Sequence, residues 1–275
     1  MRGIRVRAAR PLLRGIAAAA LALAVALTGT PTPAKARASN ISYWVFIDVL
    51  VSAFEKGRDG RYTPGEINEL VQQVISAING TKNDVLERLD SQITNELRGK
   101  AEAALTKAEM LRVPWLAGPA INSMHDAAYA AKAHLATVSE SDAALNDVGK
   151  AMIVLFTELH TAYLTVDAEE GTNLARAQLP YFRQGLEYLI QEMAPDCTFS
   201  AHPQGVWRRY ICTFADRTVT AWYWAHKDEY SIDDGPPIPG PLDLKHVEDF
   251  LMADTTRPLA QQTLDVLLRQ GVPLP

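Results

Sequence analysis

The chain has 275 residues, 48% of them hydrophobic, with 27 lysines and arginines against 32 aspartates and glutamates and a formal net charge of -5. Seven of the basic side chains fall in residues 1–38 and no acidic one does, so the remainder carries 20 basic against 32 acidic groups, a net charge of -12. A body that acidic, with no basic stripe to offset it, repels a phosphate backbone and argues against nucleic acid as a partner.

Residues 1–38 read as a secretory signal peptide. Arg2, Arg5, Arg7, Arg10 and Arg14 form a basic start, Ile16 to Leu27 is an apolar run of 12 residues, and A-x-A cleavage sites follow at 34–36 and 36–38. That run is short of the roughly 20 residues a membrane helix needs, and no cysteine follows it to carry a lipid anchor. Cleavage near Arg37 or Ser39 leaves about 237 residues, enough for one large core or two modest ones.

G-R-D-G-R-Y-T-P-G-E, residues 57–66, separates two helix-like runs. On an EF-hand template it resembles a degenerate calcium loop, with Glu55 at position 1, Asp59 at 5, Arg61 offering its carbonyl at 7 and Glu66 at 12. Position 3 is Gly57, which has no side chain, so the resemblance implies weak calcium binding, with a dissociation constant near 10⁻⁴ to 10⁻³ M. A metal-free reading accounts for the same letters and is preferred: Asp59-Gly60 turns the chain, Thr63 caps a helix, Pro64 takes its first position and Glu66 its third.

Asn79-Gly80 reads as a break. From Thr81, Leu86, Leu89, Ile93, Leu97, Ala101, Ala104, Leu105, Ala108 and Leu111 predict one helix over 81–111, about 46 Å long. V-P-W-L-A-G-P at 113–119 reads as the next break. Apolar residues then recur in alternating steps of three and four over 121–138, 145–166 and 179–193, a mean of about 3.5 that marks the seam of antiparallel helices. The run A-M-I-V-L-F at 151–156 predicts a helix buried on several sides.

Past Met193 the pattern changes. Residues 197–202, 206–214 and 218–226 are β-branched and aromatic and predict a small antiparallel meander. Cys197 and Cys212 are the only cysteines, and a turn at Gln204-Gly205 places them opposite each other, predicting a disulfide. D-D-G-P-P-I-P-G-P at 233–241 reads as irregular, and short helices follow near 243–253 and 257–270, the latter closed by Gly271 and Pro273, a usual stop signal. The predicted fold is mainly α: about four long antiparallel helices over 41–194, an elongated coiled-coil-like bundle, and a disulfide-bridged α+β part over 195–275.

Candidate chemistry is sparse. His125, His134 and His160 lack metal-ligand spacing and read as solvated or singly hydrogen-bonded, with Glu158 on a different helix face from His160. No nucleophile motif is present, leaving a hydrolase with a dispersed site as a remote alternative. Trp207, Tyr210, Trp222 and Trp224 form an aromatic cluster that either covers the core or presents a binding face, beside Arg208 and Arg209.

The order of features, with L-E-R-L-D-S-Q-I inside a long helix and a late cysteine pair, resembles secreted helical proteins of uncharacterised function from high-GC bacteria. That likeness implies location and fold, and transfers no catalytic residue. The expected role is a secreted, non-enzymatic binding or envelope-associated protein with a protein, glycan or envelope partner and no cofactor beyond weak calcium. A membrane-active, pore-forming-like helical protein is the second reading.

Overall fold

The computed structural model describes residues 41–57, 62–92, 95–166 and 170–275, which form a single compact unit. Helix α1 (Ile41–Lys56) buries Tyr43, Phe46, Ile47, Leu50 and Ala53 along one stripe. Helix α2 (Pro64–Gln92) starts in a capping box: Glu66 N donates to Thr63 Oγ1 at 3.3 Å, and Thr63 N donates back to Glu66 Oε2 at 2.8 Å.

The break expected at Asn79-Gly80 does not occur, because α2 runs through it. Glycine in a helix costs about 1 kcal/mol. The buried stripe Val71, Val74, Ile75, Ile78, Val85, Leu86 and Leu89 continues across it, each large side chain contributing roughly 1.5–3 kcal/mol. Thr81, expected as a helix start, instead donates its hydroxyl to Ala77 O at 2.9 Å.

Nor is 81–111 one rod. It divides into the end of α2, helix α3 (Asn95–Lys107) and a 3₁₀ turn (Ala108–Arg112). Helix α3 returns alongside α2: Lys82 Nζ donates to Thr106 Oγ1 at 2.7 Å and Asn79 Nδ2 to Glu109 Oε1 at 3.2 Å. Folding back buries Leu97, Ala101, Ala104 and Leu105 in the shared core, which a 46 Å rod (1.5 Å per residue) would carry past its neighbours.

Helix α4 (Pro114–Thr137) begins immediately after Val113, held extended before a proline, so only the first residue of the expected 113–119 break is non-helical. Helix α5 (Asp142–Leu164), capped by Ser141, is the centre of the molecule: 19 of its 23 residues are buried. It packs against α1 to α4 and against helices α6 (Glu170–Ala177), α7 (Leu179–Glu192) and α9 (Arg257–Arg269). Residues 41–194 therefore hold more and shorter helices than the four expected.

The later part contains an antiparallel meander of β1 (Asp196–Ala201), β2 (Trp207–Phe214), β3 (Arg217–Trp224), β4 (Glu229–Ile232) and β5 (Ile238–Pro239), in that order. Cys197 faces Cys212 across β1 and β2 and the two are bridged. The turn spans His202 to Gly205, whose N–H donates to His202 O at 2.8 Å, with Gly205 at φ 69°. Strand β5 lies inside 233–241, which was expected to be irregular; it pairs with β4 through Tyr230 and Ile238.

Helix α8 (Leu244–Met252) covers β2 and β3. Helix α9 is then latched onto the start of α5, where Thr256 N donates to Asn146 Oδ1 at 2.7 Å and Thr256 Oγ1 to Asn146 O at 2.6 Å. Among the described residues, no helix is long and apolar enough to cross a membrane.

Candidate functional site

The latch sets where the end of α9 falls. From Asn146 to His160 is 14 residues of α5, about 21 Å of helix. The same count from Thr256 reaches Gln270, so the last turn of α9 arrives beside His160.

There α9 ends in a Schellman motif. Gly271 takes φ 68°, Gly271 N donates to Leu268 O at 2.9 Å and Val272 N to Leu267 O at 3.2 Å. Arg183 on α7 then donates Nη1 to Val272 O at 2.6 Å and pins the strand that follows. These bonds make the tail a fixed wall of a cavity.

The cavity measures about 340 Å³. Its walls come from α1 (Phe54, Gly57), α5 (His160, Leu164), α6 (Thr172, Ala175, Arg176), the start of α7 (Leu179) and the tail (Gln270 to Pro273). Tyr62 closes one side. Its hydroxyl donates to Ala53 O at 2.9 Å, and its ring occupies the space a side chain at Gly57 would need. Burial holds the Tyr62 hydroxyl above its usual pKa, the charge of Arg176 partly opposing.

His160 is 1% exposed. Its Nδ1 lies 3.1 Å from Ala175 O and 3.2 Å from Gln178 Nε2, which itself donates to Ala175 O at 3.2 Å; because the carbonyl is an acceptor only and the amide already donates to it, Nδ1 carries the proton and donates. Nε2 is therefore a lone-pair acceptor, buried and without a partner. Burial pulls the ring's pKa down to about 4; the bond to Ala175 O partly opposes this, and the nearby charge of Arg176 adds to it. At neutral pH the histidine that lines the cavity is thus an uncharged imidazole whose acceptor nitrogen is buried and unpartnered.

Two further ionisable groups sit on α5. Glu158, fully buried, has neither carboxyl oxygen hydrogen-bonded, and burial raises its pKa to about 8, with Lys82 opposing. Lys150, 2% exposed, lies 5.3 Å from the Tyr43 ring centroid. Burial, and then Arg88, lower its pKa to about 8. Around it Tyr43 donates to Asp84 at 2.6 Å, and Arg88 joins Asp84 at 2.9 Å to Asp147 at 3.4 Å. This network ties α1, α2 and α5 together.

The residues singled out by sequence are dispersed. Glu55 is exposed at the end of α1, Glu66 is held in the capping box, and Asp59 and Arg61 lie outside the described residues. Among the described residues, no group of three or more His, Cys, Asp or Glu is placed to hold a metal ion.

Trp207, Trp222 and Trp224 share one sheet face, with Trp207 edge-on to Trp222 at 5.3 Å and Arg209 5.3 Å from the Trp222 ring. Tyr210 does not join them. It alternates to the opposite face, beside Phe199 and packed on the core.

Of the histidines, His125 stacks on Tyr129 and His134 contacts Ala130 O. His160 is buried and not solvated, because α1 and α6 close over it, and both Ala175 O and Gln178 Nε2 lie within hydrogen-bond distance of its Nδ1. Arg176 and Arg183 were not identified from sequence. The T-x-x-E box and the glycine stop were visible as caps, but nothing in them pointed to a cavity.

Comparison with protein-family models, curated proteins and solved structures finds no match to this chain.

Proposed function

We propose that this is an exported, non-enzymatic binding protein whose ligand is a small molecule seated in the His160 cavity. One observation carries the reading: a fully buried imidazole, its Nε2 without a hydrogen-bond partner, on a residue that lines a walled cavity of about 340 Å³. A buried acceptor left unpaired costs roughly 1–3 kcal/mol. A ligand N–H or O–H on Nε2 recovers that cost, and the apolar walls supply the rest of the affinity. The volume lies at the small end of ligand pockets, which span about 300–1,000 Å³.

Export is supported by the basic-apolar-A-x-A pattern of residues 1–38 and by the disulfide, a bond characteristic of oxidising compartments. Mass spectrometry of secreted material should find a chain starting near Arg37 or Ser39.

The binding reading is tested by a fragment library of compact ring compounds, screened by saturation-transfer NMR against the native protein and His160→Leu. The variant keeps apolar volume and removes the acceptor, and circular dichroism checks its fold. Fragments with N–H or O–H donors should bind the native protein at millimolar concentration and be lost in the variant. No hits, or hits indifferent to the substitution, would refute it.

A further inference from the structure

Resting on the cavity reading above, we infer that the ligand is a small ring carboxylate with a hydroxyl or amine at its far end. Three features of the cavity select this class.

The histidine sets one end. His160 Nε2 accepts a single hydrogen bond and donates none, so it recognises an O–H or N–H and rejects a second acceptor.

Part of the wall is apolar. Phe54 on α1, Leu164 on α5, Leu179 on α7 and Val272 in the tail stand around it. A flat or alicyclic ring fits between such walls with little loss of rotamer freedom.

The mouth sets the other end. Arg176 is exposed there and is the one cationic side chain among the described residues lining the cavity. Among the described residues, no carboxylate is paired with it, whereas Arg88, Arg183, Arg217 and Arg257 each hold an acidic partner. A guanidinium over a cavity, with no carboxylate partner among the described residues, is a ready partner for one carboxylate, which it binds in a bidentate fork. A single cation suits a monoanion, and among the described residues that line the cavity no second positive group stands for a phosphate dianion.

The test is calorimetry at pH 7 with a panel of 3-hydroxybenzoate, 4-hydroxybenzoate, 4-aminobenzoate and indole-3-carboxylate. Each is measured beside its carboxamide and, for the benzoates, beside the methyl analogue that lacks the donor. The native protein should bind at least one acid roughly 10- to 100-fold more tightly than its carboxamide, as for a hydrogen bond to a charged group. Arg176→Gln, an exposed position whose change leaves the core intact, should erase that preference while the carboxamide binds as before. His160→Leu should weaken acid and carboxamide alike.

If carboxamides bind as well as acids, or if Arg176→Gln leaves the preference intact, the carboxylate assignment is wrong while the cavity reading stands. If no panel member binds, the assignment is wrong, and the fragment screen decides separately whether the cavity reading goes with it.

Discussion

The Tyr62 hydroxyl donates to the Ala53 carbonyl at 2.9 Å, and its ring passes so close to Gly57 that a methyl group there would collide with the hydroxyl oxygen. Gly57→Ala must therefore displace the ring from the cavity wall. Urea unfolding at pH 7 should show a loss of about 1–3 kcal/mol, typical of overpacking. Tyr62→Phe should lose only about 1 kcal/mol, since Ala53 O keeps the Gly57 N–H at 2.9 Å. Equal stability of Gly57→Ala and the native protein would show that the wall gives way freely.

Arg183 is the tail's anchor through Val272 O. In Arg183→Met the Schellman turn remains, but its far end is released. Hydrogen exchange at the Gly271 and Val272 amides should speed up about tenfold, the equivalent of roughly 1.4 kcal/mol. Unchanged protection would mean that the turn alone holds the wall.

Glu158 makes stability fall as pH rises. Its pKa is about 8 folded against 4.5 for the free side chain, so the folded state holds the proton more tightly. No penalty exists below about pH 4.5; it grows from there to about pH 8 and then levels off. Each pH unit between the two values is worth about 1.4 kcal/mol, so the full effect is several kcal/mol. Glu158→Gln should be more stable than the native protein at pH 8 and close to it at pH 4.5, by urea titration. A stability difference between the two that does not change with pH would contradict a buried, protonated carboxyl.

The disulfide closes a loop across β1 and β2 with a sequence separation of 15. Replacing Cys197 and Cys212 together by serine should cost about 3 kcal/mol by the chain-entropy estimate. Because β1 is exposed along its whole length, hydrogen exchange should rise there first. Exchange rising first in α5 instead would show that the bridge supports the core.

Much of the architecture was legible because burial leaves a period in the sequence. The stripe through Leu145, Val148, Met152, Leu155 and Leu159 announced α5, and Gly271 announced the end of α9. The course of the chain was less legible. Asn79-Gly80 reads locally as a stop, and only the tertiary contacts of Ile78 and Val85 carry the helix across it. The course of α3 back along α2 has no local signal at all, because its reason is the burial of Leu97 and Leu105 in the shared core.

The candidate site was almost invisible for the same reason. His160, Tyr62, Arg176 and Val272 lie up to 210 positions apart in the numbering. They meet only because Asn146 latches Thr256 and equal helix lengths then bring Gln270 to His160. A lone histidine on an apolar helix looks the same in sequence whether its second nitrogen is satisfied or free.

The most direct test of that free nitrogen is ¹⁵N NMR of the His160 side chain, assigned with a His160→Leu variant. The account predicts a neutral ring from pH 7 down to about 5, protonated at Nδ1, with an Nε2 signal that moves when a fragment-screen ligand is added to saturation. A ring that titrates near its ordinary value of 6.5, or an Nε2 signal that no bound ligand moves, would contradict it.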